Sequence, residues 1–275
     1  MHRVWPLIAV SLFVGATAAP AAPPVPSVDA APAIAIIIDD VGDNLSAGRR
    51  AVELPAPVAL AFLPHTRFAR PLAERAHALH KEVLLHLPLE SVDGRPLGPG
   101  GLYRDMPQRD FQRILQTNIA AVPHVQGINT HMGSLLTRYR RPMEWLIDVV
   151  YGYSNLYFID SRTTAQSIAL NVAREIGVKS MERHVFLDNV QHAAAIADQL
   201  DLAIARAHEQ GVALVIGHPY PATLAVLEGR LPHLHESGVR LVPVSQLIAI
   251  DQQWRAKQWR LSLSPWHRDA KNSKR

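Results

Sequence analysis

The chain has 275 residues, a formal charge of +4, 14 histidines and no cysteine. The length allows one large domain or two small ones, with a core that needs no covalent staples. The missing cysteine excludes a disulfide framework, cysteine-ligated zinc or iron–sulfur centres, a thiol nucleophile and a lipid anchor on cysteine. At 48% hydrophobic and 19% charged residues the composition is that of a globular protein.

The first residues read as an export signal. His2 and Arg3 open it, an apolar run follows from Val4 to Val14, and Ala16-Thr17-Ala18 offers a small-x-small cleavage site. The run is too short for a bilayer, which needs roughly 20 residues. The expectation is a signal peptide over residues 1–19 and a periplasmic or secreted protein. Residues 20–32 are rich in Ala and Pro and read as an extended, semi-rigid linker. A folded body is expected from residue 33 to residue 250.

Between Ala33 and Ile250, short apolar runs alternate with longer amphipathic stretches. Strands are expected at Ala33–Ile38, Val58–Leu63, Glu82–His86, Val125–Asn129, Leu156–Ile159, Val178–Met181, Val212–Ile216 and Val239–Val242. Helices are expected at Phe68–His80, Gln108–Val122, Met143–Tyr151, Thr164–Ile176, His192–Gln210 and Pro221–His235. Pro71, Pro107, Pro142 and Pro221 fall near helix starts, and Gly177, Gly211 and Gly238 fall just past helix ends. Such alternation means a parallel sheet covered by helices, and this number of units suggests a distorted (β/α) barrel of about seven parallel strands.

The last 25 residues, 251–275, hold seven Lys/Arg against two Asp, a net of +5. That leaves −1 of the chain's +4 for residues 1–250, so the basic character belongs to the tail. It does not describe a nucleic-acid-binding surface, and no nucleic-acid partner is expected. Trp254, Trp259 and Trp266 lie among the tail's basic residues. Such a segment suits peripheral contact with a membrane or cell-wall polymer; it also suits tryptophans that pack back onto the body.

In a parallel β/α fold the site lies at the carboxyl ends of the strands. Polar residues gather there: Asp39 and Asp40, His86, Asn129 and His131 with Ser134, Asp160 with Ser161 and Arg162, and His218. Each alone has a bland alternative, a carboxylate as a helix cap or turn former, a histidine as a satisfied core residue. Five strand ends carrying an acid or a histidine on one face are harder to dismiss. Adjacent carboxylates after a buried strand repel, so Asp39 and Asp40 call for a division of labour, one on a metal and one on a proton. His86 and Glu90 are four apart, with Pro88 against a regular helix through them. His218 stands rigidly between Gly217 and Pro219, a placement suited to proton transfer. No G-x-S-x-G elbow, phosphate-cradling glycine loop, G-x-G-x-x-G after the first strand or H-E-x-x-H competes.

These motifs in this order, I-I-I-D-D-V-G, H-L-P-L-E, N-T-H-M-G-S, F-I-D-S and G-H-P behind an export signal, resemble the divergent polysaccharide deacetylases, distant relatives of the NodB-type enzymes. The resemblance spans about Ala33 to Ile250. It implies the NodB-like distorted barrel and metal-dependent removal of acetyl groups from a polysaccharide or peptidoglycan-like glycan. Asp39 would be the general base, Asp40 and His86 metal ligands and His218 the general acid. Asp160 would orient catalytic partners. Where NodB-type enzymes have a second histidine, this chain has Glu90, so either Glu90 or His131 would be the third ligand. Their arginine motif is also missing, with Asn129, His131 and Ser134 in its region. Nitrogen and oxygen ligands favour Zn²⁺, with Co²⁺ or Mn²⁺ as alternatives. The altered motifs leave a second expectation, an inactive deacetylase-like protein that binds glycan or serves as an envelope scaffold.

Overall fold

The computed structural model describes residues 31–55 and 57–263, with the side chains of residues 257, 258 and 260–263 outside that description. The expected signal, most of the linker and the end of the tail, Trp266 included, lie outside the described residues.

Among the described residues nine strands form one sheet: β1 (Ala33–Val41), β2 (Ala59–Phe62), β3 (Val83–Leu89), β4 (Val125–Met132), β5 (Tyr157–Asp160), β6 (Ser180–Glu182), β7 (Val185–Phe186), β8 (Val212–Gly217) and β9 (Arg240–Leu241). Helices lie between them: α1 (Leu45–Val52), α2 (Ala69–Ala78), α3 (Gln108–Ala121), α4 (Arg140–Gly152), α5 (Ala169–Ile176), α6 (Ala193–Gln210), α7 (Pro221–Arg230) and α8 (Val244–Leu263). The order across the sheet is β6-β5-β4-β3-β2-β1-β8-β7, with β9 beside β1, and every pairing is parallel. This is the expected curled β/α barrel, with eight strands along its path. α1 was not expected from the sequence. The expected final helix of the body stops at Arg230, where Pro232 opens a 3₁₀ turn over Leu231–Ser237.

The parity of β1 sorts its side chains. Ala33, Ala35 and Ile37 face the barrel interior, where Ala59, Ala61, Leu84, Ile159 and Leu214 join them. Ile34, Ile36 and Ile38 face the surrounding helices. Both faces are buried, which explains a run of isoleucine and alanine rather than strict alternation. Each fully buried isoleucine contributes roughly 1.5–3 kcal/mol. The interior is narrow, and a methyl group on Gly127 would come within 2.2 Å of the Tyr157 ring.

The end of the barrel away from the site is plugged by α8. Val244, Leu247, Ile248 and Ile250 pack into the interior cluster, and Trp254 packs against it. Glu82 accepts bonds from the Val244 and Ser245 N–H groups at 2.7 and 3.2 Å and from the Tyr157 hydroxyl at 3.1 Å. The carboxylate thus satisfies free donors at the helix start. The helix runs straight through residue 250, where the sequence suggested that the body gives way to a tail.

The barrel closes along an unusual seam. β6 pairs with β5 and β7 pairs with β8, with only Arg183 and His184 between them. The Arg183 N–H donates to the Asp160 carbonyl on one side at 2.9 Å, and the His184 N–H donates to the Leu214 carbonyl on the other at 2.8 Å. The His184 ring adds a second tie, its Nδ1 accepting from the Leu214 N–H at 2.9 Å. Burial and the nearby Arg206 and Arg255 hold this imidazole down to a pKa of about 4.

That seam is expected to be acid-sensitive. A histidine whose folded pKa lies below its ordinary 6.5 binds more protons when unfolded. Its stabilising contribution is complete above pH 6.5 and is lost as pH falls toward about 4. The ring is half-buried, so the expected loss is about 1–2 kcal/mol rather than the full 1.36 kcal/mol per pH unit. Urea unfolding at pH 7 and pH 4.5 should show a smaller fall for His184→Asn, which keeps an acceptor but does not titrate. Equal falls in both proteins would refute the assignment.

Candidate active site

The carboxyl ends of β1, β3, β4, β7 and β8 surround a cavity of about 520 Å³ lined by Asp39, Asp40, His86, His131 and His218, among others. Register accounts for much of this. His86 and Asn129 are partners across β3 and β4, as are Pro88 and His131. Ile38 is partnered with Gly217, so Asp39 and His218 follow as neighbours.

Adjacent residues on an extended strand point to opposite faces, so Asp39 and Asp40 could not both serve one site if β1 stayed regular. It does not. Asp40 has a left-handed φ of 54°, and the β1–β2 register shifts between Ile38 and Val41. The next turn needs glycine: Gly42 has a φ of 136°, and a Cβ there would lie 2.1 Å from Thr66 Oγ1. The D-D-V-G sequence is therefore the device that turns the second carboxylate into the site.

Asp40, His86 and His131 meet in a tight triangle. Asp40 Oδ1 lies 3.2 Å from His86 Nε2 and 2.9 Å from His131 Nδ1, and the two nitrogens are 3.1 Å apart. Despite these distances the buried Asp40 Oδ1 has no hydrogen-bond partner among the described residues. Three ligand atoms crowded edge to edge, one of them without a hydrogen bond, suit a cation better than a proton. Ligands on a tetrahedral ion at 2.0–2.1 Å are themselves roughly 3.3 Å apart, so the residues fit a divalent metal. Among the described residues this is the one such group of histidine and acid side chains.

Asn129 organises the cluster from behind. It is fully buried, donates through Nδ2 to Asp39 Oδ1 at 2.7 Å and faces His86 Nδ1 with Oδ1 at 2.9 Å. Because the amide nitrogen is committed to the carboxylate, its oxygen is the acceptor and His86 Nδ1 the donor. In the neutral ring that metal binding requires, His86 Nε2 carries the lone pair toward Asp40 and His131, the usual way a supporting residue fixes a ligating tautomer.

The two carboxylates are electrostatically distinct. Asp39 is 3% exposed, and burial pushes its carboxyl above the usual range despite nearby His86 and His218. Burial also works against ionisation of Asp40, but His131 and His86 more than offset it and hold that carboxyl well below the usual range. His86 behaves in the converse way: burial lowers it, Asp39 and Asp40 raise it further, and it reaches about 9.

His218 faces the cluster from the other side, its Nε2 3.7 Å from Asp40 Oδ2. Its Nδ1 is 2.9 Å from Asp188 Oδ1, while Asp188 Oδ2 accepts from the His218 N–H and the Thr223 hydroxyl. Burial lowers the His218 pKa, but Asp188, Asp39 and Asp40 raise it by more. Sequence reasoning missed Asp188. Its signal was V-F-L-D-N, a short apolar run ending in an acid, hidden because β7 has only two residues. In the β7–β8 register Phe186 pairs with Ile216, which sets Asp188 beside His218.

Three expected site residues serve elsewhere. The Asp160 carboxylate accepts from the Ser167 hydroxyl at 2.7 Å and the Arg162 N–H at 2.9 Å. On β5 it has the parity of Phe158, which faces the helices, and the carboxylate that stands against His218 is that of Asp188. Glu90 accepts from the Arg104 N–H at 2.8 Å, a loop tie, and His131 rather than Glu90 joins Asp40 and His86. Ser134 Oγ accepts from the Val92 N–H at 3.1 Å. Arg162 does line the cavity, with a φ of 50° and its Nε 3.1 Å from Glu182.

The fold is thus a curled parallel β/α barrel with an Asp–His–His cluster at its carboxyl mouth. The chain belongs to the divergent polysaccharide deacetylase family, whose model matches residues 36–248. It is similar to the uncharacterized protein YibQ of Escherichia coli strain K12, 36% identical over 215 residues that cover 78% of this chain and 67% of that protein. It is also similar to an uncharacterized protein of Haemophilus influenzae, 33% identical over 222 residues, 81% of this chain and 76% of the other. The crystal structure of the uncharacterized protein ATU2773 from Agrobacterium tumefaciens C58 shares the fold. Its TM-score is 0.76 at 24% identity, over 80% of this chain and 91% of that one.

Proposed function

We propose that the protein is an exported, metal-dependent hydrolase that removes acetyl groups from a carbohydrate, a cell-wall or extracellular polysaccharide. The observation that carries the reading is the triangle of Asp40, His86 and His131 set between two proton-handling groups, Asp39 and His218. A bound divalent ion, Zn²⁺ by preference and Co²⁺ or Mn²⁺ as alternatives, would polarise the acetyl carbonyl and ease deprotonation of water.

The protein's own groups handle the protons. Asp39, fixed by the Asn129 amide, takes a proton as water attacks the carbonyl carbon. Imidazolium at His218, held by Asp188, gives a proton to the amine or hydroxyl that leaves when the C–N or C–O bond breaks. Export, and contact of the basic C-terminal segment with a membrane or wall polymer, belong to the same proposal and are supported by the sequence at the two ends.

The test combines metal analysis of the purified chain with acetate release from acetylated chitin oligomers and peptidoglycan. About one equivalent of bound ion together with metal-dependent acetate release is expected. A folded protein that neither retains metal nor releases acetate would favour an inactive, glycan-binding scaffold. N-terminal sequencing of protein recovered from the periplasm or medium should start near residue 20.

A further inference from the structure

The wall of the catalytic cavity carries Arg95, Arg162 and Arg183, although residues 1–250 have a net charge of −1. Two of these guanidiniums already have counter-charges. Arg95 Nε lies 2.7 Å from Asp93, and Arg162 Nε lies 3.1 Å from Glu182. Arg183 differs: among the described residues no carboxylate lies within ion-pair distance of it.

The Arg183 side chain is nevertheless held in place. Nε donates to the Ser161 carbonyl at 2.6 Å and Nη2 to the Arg162 carbonyl at 2.9 Å. Its guanidinium carbon sits 4.9 Å from the centre of the Phe186 ring, which itself meets His218 edge-on at 5.4 Å. Nη1 has no protein acceptor among the described residues. Burial lowers this guanidinium's pKa, and Asp39 and Asp160 act on it only from a distance. A half-buried cation that is pre-oriented but lacks a counter-ion is costly unless a ligand supplies one. Arginine's planar fork suits a carboxylate.

We propose that Arg183 is a specificity-determining residue, binding a carboxylate on the glycan whose acetyl group is presented to Asp39 and His218. The substrate class is then an acidic acetylated saccharide, such as a uronic-acid polymer or a sugar bearing a carboxylated ether side chain. This rests on the deacetylase reading of the same cavity.

The experiment uses the full chain with bound metal and compares tri-galacturonate, muramic-acid-containing peptidoglycan fragments and neutral chitotriose. Equilibrium binding is read by calorimetry, and acetate release is read separately on O-acetylated pectin fragments, on the same peptidoglycan fragments and on chitotriose. At least one acidic probe should bind about tenfold more tightly than chitotriose, and its affinity should fall as salt rises from 50 to 200 mM. Arg183→Gln should remove that preference and leave chitotriose affinity unchanged. Which acidic probe responds identifies the carboxylate's source.

If Arg183→Gln disturbs the seam, Arg183→Lys, which keeps the cation but not the planar fork, decides the matter: it should retain the salt dependence and lose most of the preference. Equal, salt-insensitive affinity for acidic and neutral probes would overturn the inference. Preference for chitotriose in both binding and acetate release would overturn it too, yet leave the deacetylase reading standing. Tight, salt-sensitive binding of an acidic probe that Arg183→Gln abolishes, with no acetate release from any substrate, would uphold carboxylate binding at Arg183 and defeat the deacetylase reading.

Discussion

Asp40→Ala yields a folded protein that no longer retains a divalent ion, whereas Asp39→Asn keeps the ion and loses turnover. The two carboxylates are adjacent, yet their surroundings separate them. Asp40 contributes the one oxygen in a triangle with His86 Nε2 and His131 Nδ1, so its removal takes away a third of the ligand set. Retention should weaken by more than about 100-fold, beyond what loss of a supporting residue costs. Asp39 lies deeper, 3.6 Å from His86 Nε2 through Oδ2 and bonded to Asn129 through Oδ1. Asparagine at 39 preserves an acceptor for Asn129 but cannot take a proton, so acetate release should fall by about 10²–10⁴-fold. Metal content by mass spectrometry and steady-state acetate release check both halves. The opposite pattern, metal lost from the position-39 variant and kept by the position-40 variant, would exchange the roles.

Asp188→Asn should cost nearly as much, although Asp188 lies behind His218. Its carboxylate accepts from His218 at both the ring Nδ1 and the backbone N–H, and from Thr223. An amide at 188 can meet the backbone and Thr223 with its oxygen, which turns its NH₂ toward Nδ1. The ring then loses the partner that stabilises imidazolium. A loss of about 10²–10⁴-fold in kcat with little change in KM is expected. The pH profile gives the sharper readout. His218 must be protonated to act as an acid, so activity falls as pH rises through its pKa. Asp188 helps to raise that pKa, and the alkaline limb of the variant should therefore move to lower pH. A uniform loss of activity with an unmoved limb would mean that Asp188 merely supports the fold.

Both predictions concern residues whose legibility in the sequence differed. The long apolar strands were readable because both faces are buried, and the strand-end rule pointed directly to Asp39, Asp40, His86, His131 and His218. The rule says which end of a strand matters but is silent on which face a side chain takes. Asp160 stands at a strand end yet has outward parity. Glu90 and Ser134 lie just past β3 and β4, where loop N–H groups capture them. His131 outranks Glu90 because β4 still runs at residue 131, in the inward parity of Gly127 and Asn129, whereas β3 has ended at Leu89, a distinction visible only once the ends of β3 and β4 are known. Asp188 was hidden by the brevity of β7, whose two residues are too few to show a period. α8 was divided at residue 250 because the run of apolar residues that plug the barrel ends there, and the basic residues from Arg255 onward continue the helix without that signal.

The seam that closes the barrel also acts as a ruler. Arg183 takes its place from β5, while Asp188 takes its place from β8 through Phe186, so the intervening residues fix the span between a substrate-facing cation and the partner of His218. Side chains along a strand alternate in direction, so one added residue between His184 and Phe186 would either loop out or rotate Asp188 away from His218. Chain length at this point is therefore under tighter constraint than residue identity. A length change in the neighbouring loop, between Asp160 and α5, would move Arg162 and leave His218 untouched.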